Sequence, residues 1–255
     1  MTEQQKRHIK EIIAKCLRNK FSNYVPEGNA MPFHYRLLGK DRMVLYSFMQ
    51  SLLTTFGTSI FEPVAQEIAK ENFKRVEMQY NVGTEIYAAC QQQIQSIINR
   101  LTYQPQPNKK NELEELRNCL HGTKNTLKAI KVDLLVETQA GEQYMFDLKT
   151  AKPNKGDFQK YKQTLLEWAG ICYTNNAQAK VHSLIAIPYN PYEPKPYQSW
   201  QMAGMLDVNE ELMVADTFWN FLGGNKGIYE ELLDCFEEVG IQLRSEIDSY
   251  FEQFK

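Results

Sequence analysis

Two aspartates and a lysine near the middle of the chain have residue types that suit metal-dependent chemistry. Asp147 and Lys149 lie in the run QYMFDLK, and Asp133 lies in the preceding apolar run IKVDLLVET. Carboxylate oxygens are hard ligands that favour Mg²⁺ or Mn²⁺ over zinc. Phosphodiester hydrolysis needs such a cation to activate water, and a nearby ammonium can hold the water or the phosphate. The three residues together therefore indicate this kind of chemistry.

The elements that must position these residues are the two strands of a β-hairpin. Both runs are rich in β-branched and aromatic residues, and a turn-forming Gln-Ala-Gly sequence separates them. Side chains alternate between the two faces of a strand, so Asp147 and Lys149 point the same way. Two carboxylates repel each other unless a cation neutralises them, so a second aspartate on this face would favour a metal site.

The length of the hairpin loop decides whether Asp133 joins that face. A two-residue loop would pair Asp133 with Leu148, whereas a three-residue loop pairs it with Asp147. Three-residue loops typically end in a left-handed residue, and Gly141 adopts that conformation without steric cost. We therefore predict a three-residue loop, with the two carboxylates directly opposed and close enough to share one cation.

The remaining pattern predicts an α/β fold in which a central mixed β-sheet is flanked by α-helices, with helical N- and C-terminal regions. We expect a single domain over residues 1–255, with a mainly helical part (1–125), a catalytic sheet core (126–200) and a C-terminal helical part (201–255). Helical periodicity covers residues 2–21, 41–55, 58–73, 84–101, 111–121, 156–169, 229–236 and 241–254, and residues 181–188 form an apolar run typical of a buried strand.

Composition limits the classes of protein that fit. The chain has 255 residues, of which 43% are hydrophobic, enough for one sizeable core. Its five cysteines are scattered without a C-x-x-C pair, so neither a disulfide framework nor a zinc site is indicated. No run approaches the roughly 18 apolar residues of a membrane span, so we expect a cytoplasmic protein without a membrane partner. With a net charge of -2, any surface for nucleic acid must be local.

The spacing of the three residues resembles a known signature. Asp133, followed by Asp147-Leu148-Lys149 and then TAKPN, looks like the PD-(D/E)xK motif of type II restriction endonucleases, although Val132 stands where the motif's name has proline. The segments DLKTAKPN, IPYNPYEPKPYQSW and FWNFLGG are similar to the TdeIII and MjaII restriction enzyme family. That resemblance spans nearly the whole chain.

The resemblance implies a restriction-endonuclease-like fold, with Asp133, Asp147 and Lys149 as catalytic residues. It implies Mg²⁺, for which Mn²⁺ can substitute, bound by Asp133 and Asp147 with the Leu148 carbonyl as a further ligand. It also suggests a third acidic ligand from a preceding helix, for which Glu62 is the candidate; the alternative is that Glu62 merely favours a helix start. The substrate would be double-stranded DNA, cut in both strands at a short GC-rich palindrome of the GGNCC kind by a homodimer with a cognate DNA methyltransferase.

A lysine-rich stretch after the motif is the predicted DNA-contacting surface. Its basic side chains could meet phosphates beside the metal site, although a solvated helix face explains them equally well. The residues assigned to DNA binding are Lys152, Asn154, Lys155, Lys160 and Lys162.

Three alternatives remain open at this point. A nuclease of DNA repair or recombination would share the chemistry and recognise DNA structure instead of sequence. A non-catalytic DNA-binding protein of the same fold would need no metal. A chance motif in an unrelated α/β protein predicts a two-residue loop and an Asp133 that faces away from Asp147, because short motifs often match by coincidence.

Overall fold

A computed structural model describes residues 1–25, 31–149, 157–198, 202 and 204–253. Helices and strands are numbered in chain order. The helices are α1 (Glu3–Asn23), α2 (Pro32–Leu38), α3 (Lys40–Thr55), α4 (Glu62–Ala69), α5 (Ala88–Tyr103), α6 (Lys109–Arg117), α7 (Phe158–Asn175), α8 (Asp216–Gly223), α9 (Ile228–Gln242) and α10 (Arg244–Glu252). The strands are β1 (Arg75–Asn81), β2 (Glu85–Tyr87), β3 (Lys124–Thr126), β4 (Lys131–Glu137), β5 (Gln143–Leu148), β6 (Val181–Ile187) and β7 (Leu212–Val214).

One compact unit consists of helices from both ends of the chain, residues 1–68 and 225–255. The predicted amphipathic helix is α1, which buries Ile9 and Ile13 and begins with a capping box between Thr2 and Gln5. The N-terminal ammonium of Met1, just before α1, forms an ion pair with Glu231 of α9 at 3.0 Å. A π-helical turn connects α3 to α4.

The second unit, residues 69–224, contains the sheet. Its five strands have the order β1-β4-β5-β6-β7. The pairs β1/β4 and β4/β5 are antiparallel, whereas β5/β6 and β6/β7 are parallel. Parallel neighbours need a crossover connection, and α7 provides it between β5 and β6. The predicted strand, helix, strand succession and the mixed sheet are therefore confirmed.

Helices cover both faces of this sheet. On one face, Met145 of β5 belongs to the same apolar core as Leu165 of α7 and Ile94 of α5. On the other face, Phe146 packs against Phe218 of α8 with ring centroids 5.3 Å apart. The predicted fold class, a mixed sheet flanked by helices with the organisation of a restriction endonuclease, is confirmed.

Two features differ from the expected pattern. Strand β1 and the short β2 lie within the part of the chain that was predicted to be mainly helical. The chain also forms two compact units, and both contain residues from 1–125. A single endonuclease domain over the whole chain stays a prediction. None of the helices in the described ranges has the length and apolar character that a bilayer crossing requires.

Candidate active site

The loop between β4 and β5 has the three residues that the sequence predicts. Thr138 N donates a hydrogen bond to Glu142 O at 2.9 Å, and Gly141 N donates to Thr138 O at 3.0 Å. Gly141 has a φ of +80°, the left-handed conformation expected at the end of such a loop. A side chain at this position would strain the backbone, which explains why the turn uses glycine.

The strand register that follows from this loop brings the two aspartates opposite each other. Leu134 pairs with Phe146, and the next residue outward on each strand is Asp133 or Asp147. The two carboxylates interact directly, since the presence of Asp133 disfavours the ionised form of Asp147. The coincidence alternative, with its two-residue loop and divergent aspartates, is therefore wrong.

The Asp133 carboxylate receives a hydrogen bond on each of its oxygens. Leu148 N donates to Oδ2 at 2.8 Å, and Gln79 Nε2 donates to Oδ1 at 3.3 Å. Both donors are neutral, so they orient the carboxylate and leave its negative charge in place. Among the described residues, Asp133 has no basic side chain within ion-pair distance.

Asp147 is a buried carboxylate beside a charged lysine. Burial raises the pKa of Asp147 to about 6; Lys149 opposes this effect and Asp133 adds to it. The Lys149 ammonium donates to Asp147 Oδ1 at 2.5 Å. A carboxylate that burial and a like charge both destabilise gains from a nearby cation, so the site favours positive charge beyond that of the lysine.

Lys149 is held in the site by its backbone and by an aromatic neighbour. Its backbone N–H donates to Ala186 O of β6 at 2.9 Å, which fixes the end of β5. Its ammonium lies 5.1 Å from the centroid of the Tyr161 ring on α7, within the range of a cation–π contact. Burial raises the pKa of Tyr161 to about 12, so the ring stays neutral at physiological pH.

Gln79 belongs to this site although no pattern in the sequence marks it. It lies on β1, opposite Asp133, between the pairs Met78↔Leu134 and Tyr80↔Val132. Its φ is +52°, in the left-handed region that costs a side-chain-bearing residue about 1 to 2 kcal/mol. The contact between Gln79 and Asp133 depends on the pairing of β1 with β4, and these residues are far apart in the sequence.

Of the two further predicted ligands, one lies on a helix and the other on the same strand as Asp147. Glu62 is the first residue of α4 in the helical unit, and its side chain is buried. Leu148 is the last residue of β5, next to Asp147. The ligand roles of Glu62 and of the Leu148 carbonyl stay predictions. Across the described residues, no three or more His, Cys, Asp or Glu side chains form a ready-made metal cluster.

Only two residues of the predicted DNA-contacting set lie within the described ranges. Lys152, Asn154 and Lys155 fall outside them. Lys160 is exposed near the start of α7, as a phosphate contact requires. Lys162, two residues further on, has a fully buried side chain.

The assignment of Lys162 to DNA binding is corrected by its surroundings. Its ammonium donates to Glu211 Oε2 at 2.6 Å and is also paired with Glu112 of α6. Lys109 completes the cluster, with its ammonium 2.7 Å from Glu211 Oε1. Two lysines and two glutamates thus neutralise one another in the core. A buried ammonium committed to two carboxylates cannot reach a phosphate, so Lys162 stabilises the packing of α7.

The chemistry of the donor set fits a divalent cation. Two carboxylates are directly opposed, one of them without a basic partner among the described residues and the other with a raised pKa. Oxygen donors of this kind suit a hard cation such as Mg²⁺. The arrangement can therefore hold a metal and an ammonium next to a scissile bond.

Known proteins with similar sequences are also enzymes that cut DNA. The chain is 29% identical to the type II restriction enzyme HgiCII from Herpetosiphon aurantiacus over 227 residues, which is 87% of this chain and 81% of that enzyme. It is 29% identical to HgiEI from the same organism, over 88% of this chain and 84% of that enzyme. It is 26% identical to the type II restriction enzyme MjaII from Methanocaldococcus jannaschii, over 88% of this chain and 67% of that enzyme.

The match to a family profile covers almost the entire sequence. The profile is that of the type II restriction endonuclease HinfI, and it matches residues 1–240. The resemblance to restriction enzymes inferred from the motifs is confirmed, and this favours a restriction enzyme over a nuclease of repair or recombination. The chain belongs to the HinfI family of type II restriction endonucleases, and it is a site-specific deoxyribonuclease.

Proposed function

We propose that this restriction endonuclease makes magnesium-dependent double-strand cuts in DNA at a short GC-rich palindrome of the GGNCC kind. The observation that carries the metal-dependent part is the hairpin register, in which Asp133 is opposite Asp147 and Lys149 contacts Asp147. The GC-rich site rests on the resemblance to the TdeIII and MjaII enzymes alone.

Asp133 and Asp147 are the proposed catalytic carboxylates and the ligands of Mg²⁺, which Mn²⁺ can replace. The Leu148 carbonyl and Glu62 are the further proposed ligands. The bound cation would lower the pKa of water and take up charge that develops on the phosphate oxygens. The protein's part is to hold the two carboxylates in a fixed position. The hydrogen bond from Leu148 N serves this purpose at Asp133.

Lys149 is the third proposed catalytic residue. Its ammonium beside Asp147 can hold the attacking water or the scissile phosphate and offset negative charge in the transition state. The water oxygen bonds to phosphorus and loses a proton to solvent, while the bond from phosphorus to the 3′ oxygen breaks and that oxygen takes up a proton. The products are then a 5′-phosphate and a 3′-hydroxyl, as the resemblance implies.

The proposed partners follow from a symmetric target. A palindrome cut in both strands needs two sites related by a two-fold axis, so a homodimer is the natural assembly. Lys160, together with Lys152, Asn154 and Lys155, is proposed to contact DNA phosphates close to the site. A cognate DNA methyltransferase and a cytoplasmic location complete the proposal.

Cleavage of unmethylated phage DNA by the purified protein tests this function. Reactions contain magnesium, manganese or EDTA, and they compare wild type with Asp147→Asn and Lys149→Ala. Lys110→Ala is the matched control, because Lys110 is an exposed lysine on α6. We expect discrete fragments that require the cation, persist in Lys110→Ala and disappear in the two site variants.

The other outcomes separate the competing functions. Metal-dependent smearing without discrete fragments would indicate a nuclease that lacks sequence specificity. No cleavage by folded wild-type protein with either cation would contradict the proposal and favour a non-catalytic DNA-binding protein. The fragment ends would also give the recognition sequence, so ends that lack a common GC-rich palindrome would refute that part alone.

A further inference from the structure

We infer that Gln79 is a positioning residue for Asp133: its side-chain amide fixes the orientation of the carboxylate that receives the divalent cation. The inference rests on the proposed metal-dependent function. It assigns to β1, an edge strand of the sheet, a role in the active site.

The contact itself is the first observation. Gln79 Nε2 donates to Asp133 Oδ1 at 3.3 Å, while Leu148 N occupies the other carboxylate oxygen at 2.8 Å. With one donor on each oxygen, rotation of the carboxyl group about its bond to Cβ is restricted. Each oxygen still has a second lone pair that can accept a cation. Outer hydrogen bonds of this kind orient metal ligands in many sites.

The backbone of Gln79 is the second, independent observation. Its φ of +52° is rare for any residue that carries a side chain, and here it occurs inside a strand. The pairing of β1 with β4 keeps the same register on both sides, at Met78↔Leu134 and at Tyr80↔Val132. No residue has been inserted, so the strained conformation changes the direction of Gln79 without shifting the rest of the strand. Strain of this kind clusters at functional sites.

The neutrality of the amide is the third consideration. A lysine or arginine at position 79 would orient Asp133 equally well, but its charge would compete with the cation. The glutamine amide donates a hydrogen bond and leaves the carboxylate charge available. Asp147, by contrast, already has the Lys149 ammonium on Oδ1. Within the described part of the chain the two carboxylates therefore differ in role, and Asp133 is the one whose charge is left for the metal.

Two substitutions separate positioning from stability. Gln79→Met keeps the length of the side chain and removes the donor. Gln79→Gly also removes the donor but relieves the left-handed strain, so its thermal unfolding midpoint should be equal to or above that of the wild type. Gln95→Met, at an exposed glutamine that bonds Asn99 on α5, is the matched control.

The readout is the dissociation constant of Ca²⁺, measured by titration calorimetry on the full-length protein without DNA. We expect it to rise about tenfold in both Gln79 variants and to stay unchanged in Gln95→Met. The magnesium concentration for half-maximal cleavage should rise in parallel. A Ca²⁺ dissociation constant within twofold of wild type in Gln79→Gly and Gln79→Met would overturn the inference while leaving the proposed function intact.

Failure of the proposed function looks different. Wild-type protein that neither bound Ca²⁺ nor cleaved DNA with magnesium would refute both the proposed function and the role of Gln79. A weaker affinity in Gln79→Met alone, with normal affinity in Gln79→Gly, would attribute the effect to poor packing of the methionine and would also refute the positioning role.

Discussion

Asp147 carries a conflict between stability and function that can be measured at a single residue. Its ordinary pKa of 3.8 is raised to about 6, mainly by burial. The folded protein therefore binds a proton more tightly than the unfolded chain does. Between about pH 4 and pH 6, the contribution of Asp147 to the free energy of unfolding falls as the pH rises, because the folded state loses a favoured proton. Above about pH 6 the whole cost of the buried charge is present.

We expect Asp147→Asn to be more stable than wild type at pH 7.5 without divalent cations, by on the order of 2 kcal/mol. Asparagine cannot ionise, so the advantage should shrink as the pH approaches 4. Urea unfolding in EDTA at pH 4.5 and pH 7.5 measures both values. An equal stability difference at the two pH values would show that the charge of Asp147 is not the cause. The same variant should have no cleavage activity.

The hairpin loop determines the strand register that brings Asp133 opposite Asp147. Within the loop, Gly141 is the residue whose substitution should cost stability, because its φ is positive. No neighbouring atom would meet a Cβ there, so only the φ of +80° penalises a side chain. We expect Gly141→Ala to lose about 1 kcal/mol of stability and Gly141→Asn clearly less, because asparagine tolerates the left-handed region. Both should keep wild-type cleavage. Equal losses in urea unfolding would contradict this explanation.

The buried charge cluster joins α6 and α7 to Glu211, which directly precedes β7. Lys162 lies at the centre of this cluster. Lys162→Met leaves Glu112 and Glu211 with too little positive charge, so we expect a loss of about 3 to 5 kcal/mol. Lys160→Met, an exposed lysine on the same helix, should change the stability by less than about 0.5 kcal/mol. Urea unfolding compares the two. Similar stability of both variants would show that the cluster contributes little.

These elements also show how far the sequence could be interpreted. The register of β4 and β5 was predictable because Gly141 indicates a three-residue loop. The alternation of side chains along a strand then places Asp147 and Lys149 on the same face. Strand β1 was missed because it is an edge strand with half-exposed residues, which blurs the alternation. Lys162 was misassigned because its partner Glu211 is distant in sequence and a lysine in a basic stretch usually faces water. Gln79 was missed because backbone strain has no signature in residue type.

At the scale of the whole molecule, the proposed two-fold assembly links one active site per chain to two cut strands. A chain with a single set of Asp133, Asp147 and Lys149 can hydrolyse one phosphodiester at a time. A mixed dimer of wild type and Lys149→Ala should therefore nick only one strand of its target. On a supercoiled plasmid with one recognition site, we expect the open-circular form to accumulate in proportion to the fraction of mixed dimers.

Sedimentation of the protein bound to a short duplex gives the stoichiometry that this argument requires. Two chains per palindrome, together with nicking by the mixed species, would establish that each chain cuts one strand. One chain per duplex with linear product formed from the start would contradict the dimer, because a single site would then have to cut both strands in succession. In that case the mixed sample would show only a reduced rate of linearisation, since each active chain would act alone.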